Sequence, residues 1–139
     1  MGQHHDVEQL LHGFRAAAQS ISWDSPLRIM NLFPNGCCTF SSFFLGHILQ
    51  DRNFGKWHIV HGSAGVMKNH DWLESSEGLV VDATADQFPL GIEAFVQAGP
   101  SPLEIYFPRA GEVDLSSWSE DLRSKYEEVV AVVDATVMH

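Results

Sequence analysis

Basic residues are scarce in this chain: eight Lys and Arg stand against 18 Asp and Glu among 139 residues, a formal charge of −10. Nucleic acids and anionic membrane surfaces are gripped by clustered Lys and Arg, so neither is expected as a partner. Cysteine is scarcer still, with only Cys37 and Cys38. They are adjacent, and disulfide geometry fits a single peptide link poorly, so the chain is no disulfide scaffold. No apolar run approaches the roughly 18–20 residues that a membrane span requires. The opening Met1-Gly2-Gln3-His4-His5-Asp6 lacks the basic-then-apolar pattern of a secretory leader. A cytoplasmic location is the expectation, with export by a route that needs no such leader left open. There is no Gly-x-Gly-x-x-Gly and no lysine-bearing phosphate loop, so a flavin or nucleotide role finds no support and no cofactor is expected. Internal repeats, low-complexity tracts and linkers are missing too.

What is present is the material of a globular core, with 45% apolar and 11% aromatic residues. A domain of this length hides roughly 68–70% of the surface its unfolded chain exposes. Val7, Leu10, Leu11, Phe14, Ala17, Ala18 and Ile21 recur at helical spacing after a possible cap at Asp6, which predicts a helix over 7–20. Ser25-Pro26 suggests a second, short helix, and Pro34-Asn35-Gly36 a turn. Residues 37–50 are apolar nearly all round, as expected of a helix buried on most sides. Trp57 to His61 predicts a strand, and Asp71–Glu74 with Leu79–Ala83 predicts a hairpin. Leu103 to Phe107 predicts a fourth strand, whereas Ile92 to Val96 fits helix or strand equally. Leu122, Tyr126, Val129, Val130 and Val133 predict a last helix near 117–133, with Ser116, Ser117 or Ser119 as its cap. The fold class expected is α+β, a single domain over 1–139.

Three features carry chemistry. A cysteine opening a helix meets unsatisfied N–H groups and the positive end of the macrodipole, which favour thiolate and are able to hold an oxyanion. The plainer alternative is a cysteine packed as a small hydrophobe. Asp82 lies inside the apolar run Leu79-Val80-Val81-Asp82-Ala83, where a carboxylate is costly unless paired or turned to water at an edge. If the hairpin turns through Ser75-Ser76-Glu77, Trp72 faces Val80 and His70 faces Asp82, on one side of the sheet and within hydrogen-bond reach. A slip of one residue would separate them. Helix-start cysteine, strand histidine and neighbouring-strand aspartate are the parts of a thiol nucleophile with an oriented base.

The stretches Phe33-Pro34-Asn35-Gly36-Cys37-Cys38, His70-Asp71-Trp72-Leu73-Glu74 and Val81-Asp82-Ala83-Thr84-Ala85-Asp86-Gln87-Phe88 resemble small bacterial members of the papain-like superfamily in its transglutaminase-like arrangement. The resemblance covers residues 33–88, somewhat under half the chain. It implies a central buried helix packed on a small antiparallel sheet. It also implies a cysteine hydrolase or acyltransferase, namely a cysteine (thiol) protease, a deamidase or a transglutaminase-like enzyme. Its substrate would be a peptide, a protein or a small amide. The catalytic triad implied is Cys38, His70 and Asp82; one variable residue between Gly36 and the nucleophile favours Cys38 over Cys37. Asn35 and Gln87 are both candidates for an oxyanion-hole side chain.

Two rival readings use the same residues. Cys37, Cys38, His58, His61 and His70 offer zinc-type ligands, but no Cys-x-x-Cys pair exists, and residues 58 and 61 on a strand point to opposite faces. A non-catalytic binding module on the same fold is the other. Trp57, Trp72, Phe40, Phe43 and Phe44 are expected in the core rather than around a ligand.

Overall fold

A computed structural model describes residues 2–20, 38–65, 69–116 and 120–137. The suggested helix at Ser25-Pro26 and the turn at Pro34-Asn35-Gly36 lie outside the described residues, as do Ile21, Asn35, Cys37, Ser117 and Ser119. Helices α1 (Gly2–Gln19), α2 (Cys38–Asp51) and α3 (Glu120–Val137) accompany strands β1 (Trp57–Ser63), β2 (Asn69–Ser75), β3 (Leu79–Asp82), β4 (Phe95–Ala98) and β5 (Arg109–Asp114). The fold is α+β: the strands form one antiparallel sheet in the order β4-β3-β2-β1-β5.

Strand periodicity divides the core in two. Trp57, Ile59, Leu73, Val81 and Val96 leave one face and pack with the apolar stripes of all three helices. Val60, Trp72 and Val80 leave the other face and pack with Ala85, Leu103 and Phe107 from irregular segments. Helix α2 is apolar on nearly every side, and its residues 41–49 are buried. A Cβ on Gly46 would lie 2.7 Å from Leu115 and 2.9 Å from Leu73, so the missing side chain is what lets α2 lie close on β2. Arg15 of α1 grips Asp86 with two hydrogen bonds and also donates to the Ala83 carbonyl, tying α1 to the segment just after β3. Tyr126 of α3 donates to Asp51 at the end of α2.

Several expectations need correction. Helix α1 begins at Gly2, so Asp6 lies within it rather than capping it; residues 2–6 contain no helix breaker after the glycine. Leu103 to Phe107 is not a strand. Pro102–Ile105 forms a 3-10 helix because Pro102 sits in its first turn and the Ser101 side chain accepts from the Leu103 N–H. Within the undecided Ile92–Val96, the strand starts only at Phe95. Strand β5 escaped prediction because it is an edge strand, mostly exposed, with no alternating apolar residues. The hairpin turn is centred one residue later than expected: Leu73 pairs with Val81 and Glu74 with Val80. Gly78 at φ +89 makes the turn, and Ser75 Oγ accepts from Leu79 N–H. The result is a slip of two residues, which keeps every side chain on its expected face.

Candidate active site

The two-residue slip leaves His70 and Asp82 diagonal rather than directly opposed, yet still on the same face. His70 Nε2 lies 2.6 Å from Asp82 Oδ2, and both side chains are fully buried. Asp82 does not sit at a sheet edge, since β3 lies between β2 and β4. Its other oxygen, Oδ1, accepts from the Thr84 N–H at 3.0 Å, so the buried carboxylate is held at both ends.

Cys38, the first residue of α2 and half-buried, lies close enough to the His70 ring to influence its charge. With Nε2 engaged by Asp82, the thiol is left the Nδ1 edge. Gln87 Nε2 also lies along that edge, 3.4 Å from Nδ1, and donates to Thr84 Oγ1. Burial alone would make the imidazolium harder to form. The hydrogen bond to Asp82, and the negative charge of Asp82 and of nearby Cys38, outweigh burial and raise the His70 pKa from 6.5 to about 9. The ring is therefore cationic at neutral pH. Phe88, Phe107 and Trp72 surround it, with ring centroids 5.0, 5.7 and 5.9 Å away.

The start of α2 is fixed on the sheet's other face as well. Thr39 Oγ1 donates to Asp71 Oδ2, and His61 Nδ1 lies 2.6 Å from Asp71 Oδ1. Consecutive residues of α2, Cys38 and Thr39, thus meet consecutive residues of β2, His70 and Asp71. These side chains leave opposite faces, so α2 begins at the strand's end, where both faces are within reach. Sequence reasoning missed Thr39 and Asp71, and weighed His61 only as a zinc-type ligand. The available signal was a second carboxylate beside the strand histidine, in a segment otherwise destined for burial.

Gly62 has a related role. It pairs with His70, and a Cβ on it would lie 2.4 Å from the Phe107 carbonyl oxygen. No larger residue lets the backbone at Phe107 cross β1 so closely, and it is this crossing that brings the Phe107 ring to His70. Histidines 58 and 61 do leave opposite faces: His58 approaches Glu112 and His61 approaches Asp71. Among the described residues no three His, Cys, Asp or Glu side chains converge as they would around a metal ion. Trp57, Trp72, Phe43 and Phe44 are buried in the core, and Phe40 packs against it. Among the described residues no helix is long and apolar enough to cross a membrane.

No protein-family model, curated protein or solved structure matches the chain.

Proposed function

We propose that the chain is a cysteine hydrolase or acyltransferase on a papain-like, transglutaminase-like scaffold, acting on an amide or thioester carbonyl. The observation that carries this reading is the buried His70 ring hydrogen-bonded to Asp82, with Cys38 at the start of α2 close enough to influence the ring's charge. A cationic imidazole beside a sulfur favours thiolate, the nucleophilic form.

In this reading the Cys38 sulfur attacks the carbonyl carbon, and the carbonyl electron pair moves to oxygen. The first-turn N–H groups of α2, which have no acceptor within the helix, would be donors to that oxyanion, with the Gln87 amide beside the ring as a further one. As the tetrahedral species collapses, the carbon–nitrogen or carbon–sulfur bond breaks. His70 gives its proton to the leaving group, and a thioester to Cys38 remains. Water or an amine then attacks the thioester while His70 takes the proton, and release of the acyl product restores the starting pair. Asp82 keeps Nε2 oriented and its charge balanced throughout, leaving Nδ1 for the sulfur. Hydrolysis, deamidation and acyl transfer differ only in the leaving group and the second nucleophile.

Labelling with iodoacetamide tests the reading without a known substrate. A free thiol of pKa about 8.5 is only a few per cent thiolate at pH 7, so an activated Cys38 should label roughly tenfold faster or more. Peptide mapping should place that label on Cys38. The fast phase should vanish in Cys38→Ala and persist in Cys37→Ala. Equal, slow labelling of both cysteines would defeat the thiol mechanism and favour a binding module. The reverse pattern in the two variants would move the nucleophile to Cys37.

A further inference from the structure

Residues adjacent in the chain to His70 and to Gln87, the side chain at its Nδ1 edge, line one small cavity. Asn69 precedes His70 on β2, and Phe88 follows Gln87, whose amide lies 3.4 Å from Nδ1; both line the cavity. Ala64, Leu90, Tyr106 and Phe107 supply further walls. Phe88 and Phe107 are 4.8 Å apart between centroids, and both rings touch the imidazole. One side of this aromatic pair therefore contacts His70 while the pair also borders open space.

The cavity's chemistry differs from that of the rest of the surface. No charged side chain lines it, in a chain with 18 acidic and eight basic residues. Exposed apolar surface gathers beside it: among the described residues three large hydrophobics are exposed, and Ile105 (83%) and Tyr106 (47%) are two of them. Adjacent exposed apolar residues next to a concave site mark recognition surface rather than core. Its size limits the occupant. At about 280 Å³ it falls just under the roughly 300–1,000 Å³ of pockets that enclose whole drug-sized ligands, so it suits one side chain.

We propose that this cavity receives a single uncharged apolar side chain, benzyl or isobutyl in size, of the substrate whose carbonyl Cys38 attacks. This rests on the thiol reading above and adds a substrate class to it: amides or thioesters with an apolar group close to the scissile carbonyl. The occupant lies against the rings of Phe88 and Phe107, and the polar edge of His70 begins one residue away at Gln87. Binding an apolar group there positions the carbonyl for attack.

Two measurements test it separately from the thiol mechanism. In the first, Cys38 is alkylated with N-benzylchloroacetamide and with N-(2-hydroxyethyl)chloroacetamide, each rate being normalised to glutathione. The benzyl reagent should be faster by about tenfold or more and should saturate, as expected when one apolar group fills a fitted pocket. Ala64→Phe, at an exposed wall position, and Leu90→Gln should bring that ratio towards unity while the iodoacetamide rate stays unchanged. In the second, unreactive N-benzylacetamide is titrated in and the methyl resonances of Ala64 and Leu90 are followed; they should shift saturably, and this readout needs no activated thiol. Fast iodoacetamide labelling without a benzyl preference overturns the cavity assignment and leaves the nucleophile standing. Slow iodoacetamide labelling with saturable methyl shifts defeats the nucleophile and keeps the cavity as an apolar site. Unmoved methyl resonances overturn the cavity proposal outright.

Discussion

His70 concentrates the chemistry into one side chain, because its ring is buried yet charged. Its pKa is raised from 6.5 to about 9, so the folded protein holds this proton more tightly than the unfolded chain. The resulting stabilisation is complete below about pH 6.5 and fades as pH rises through about 9, amounting to about 3 kcal/mol at about 1.36 kcal/mol per unit. Urea titrations should show the stability gap between the wild type and His70→Gln narrowing over that interval. A gap that stays constant with pH would mean that the ring is neutral when folded. In the proposed reaction the same proton goes to the leaving group, so turnover should decline on an alkaline limb near pH 9, whereas alkylation, which expels iodide and needs no proton, should not. Asp82→Asn removes a charge that supports the imidazolium; it should move that limb to lower pH and slow turnover roughly 10²–10⁴-fold. Both oxyanion-hole candidates had the right residue type at sequence level. Gln87 is placed beside the imidazole, whereas Asn35 lies outside the described residues. Nothing in residue type could have ranked them, because proximity to Nδ1 depends on how the chain turns after β3.

At the scale of elements, the site is a meeting between the first turn of α2 and the first residues of β2. Thr39 and Asp71 clamp that turn from the face opposite His70. Thr39→Val keeps the shape and removes the donor, and a hydrogen bond to a charged acceptor contributes about 1.5–3 kcal/mol. Since Thr39 is exposed, the lower end of that range is expected in denaturant titrations, together with faster amide exchange at the start of α2. Slower Cys38 labelling should accompany these changes, because a frayed first turn no longer holds the sulfur at the ring. Unchanged exchange and labelling would reduce the clamp to a surface contact. Helices α1 and α3 were legible from 3.6-residue periodicity, and α2 from an apolar run too long for one strand. Strand β5 was not legible, because an exposed edge strand is held by its backbone bonds to β1 and has little apolar pattern to show. The segment Ser101-Pro102-Leu103-Glu104 carried a readable helix-start signal, which its apolar neighbours Ile105, Tyr106 and Phe107 obscured.

Across the whole molecule, the three helices lie on one face of the sheet and the irregular segments on the other, so His70 and its aromatic surround belong to the less regular side. The charge of −10 is spread over exposed positions such as Glu120, Asp121, Glu127 and Glu128, and self-repulsion among them opposes compaction. Raising salt from about 10 mM to about 150 mM shortens the screening length from roughly 30 Å to 8 Å and should raise the melting temperature. A fall in melting temperature would instead give the larger weight to attractive ion pairs such as Arg15–Asp86 and Lys125–Asp121. By itself the sequence determined the α+β composition, the buried central helix, and the shared face of His70 and Asp82. The first and last follow from periodicity and the central helix from its unbroken apolar run, and face parity survives even a two-residue error in register. Only the tertiary structure decided that Asp82 is interior, that Gln87 lies at the Nδ1 edge, and that Asp71 and Gly62 support the site. These depend on contacts between residues far apart in the chain, which no local pattern encodes.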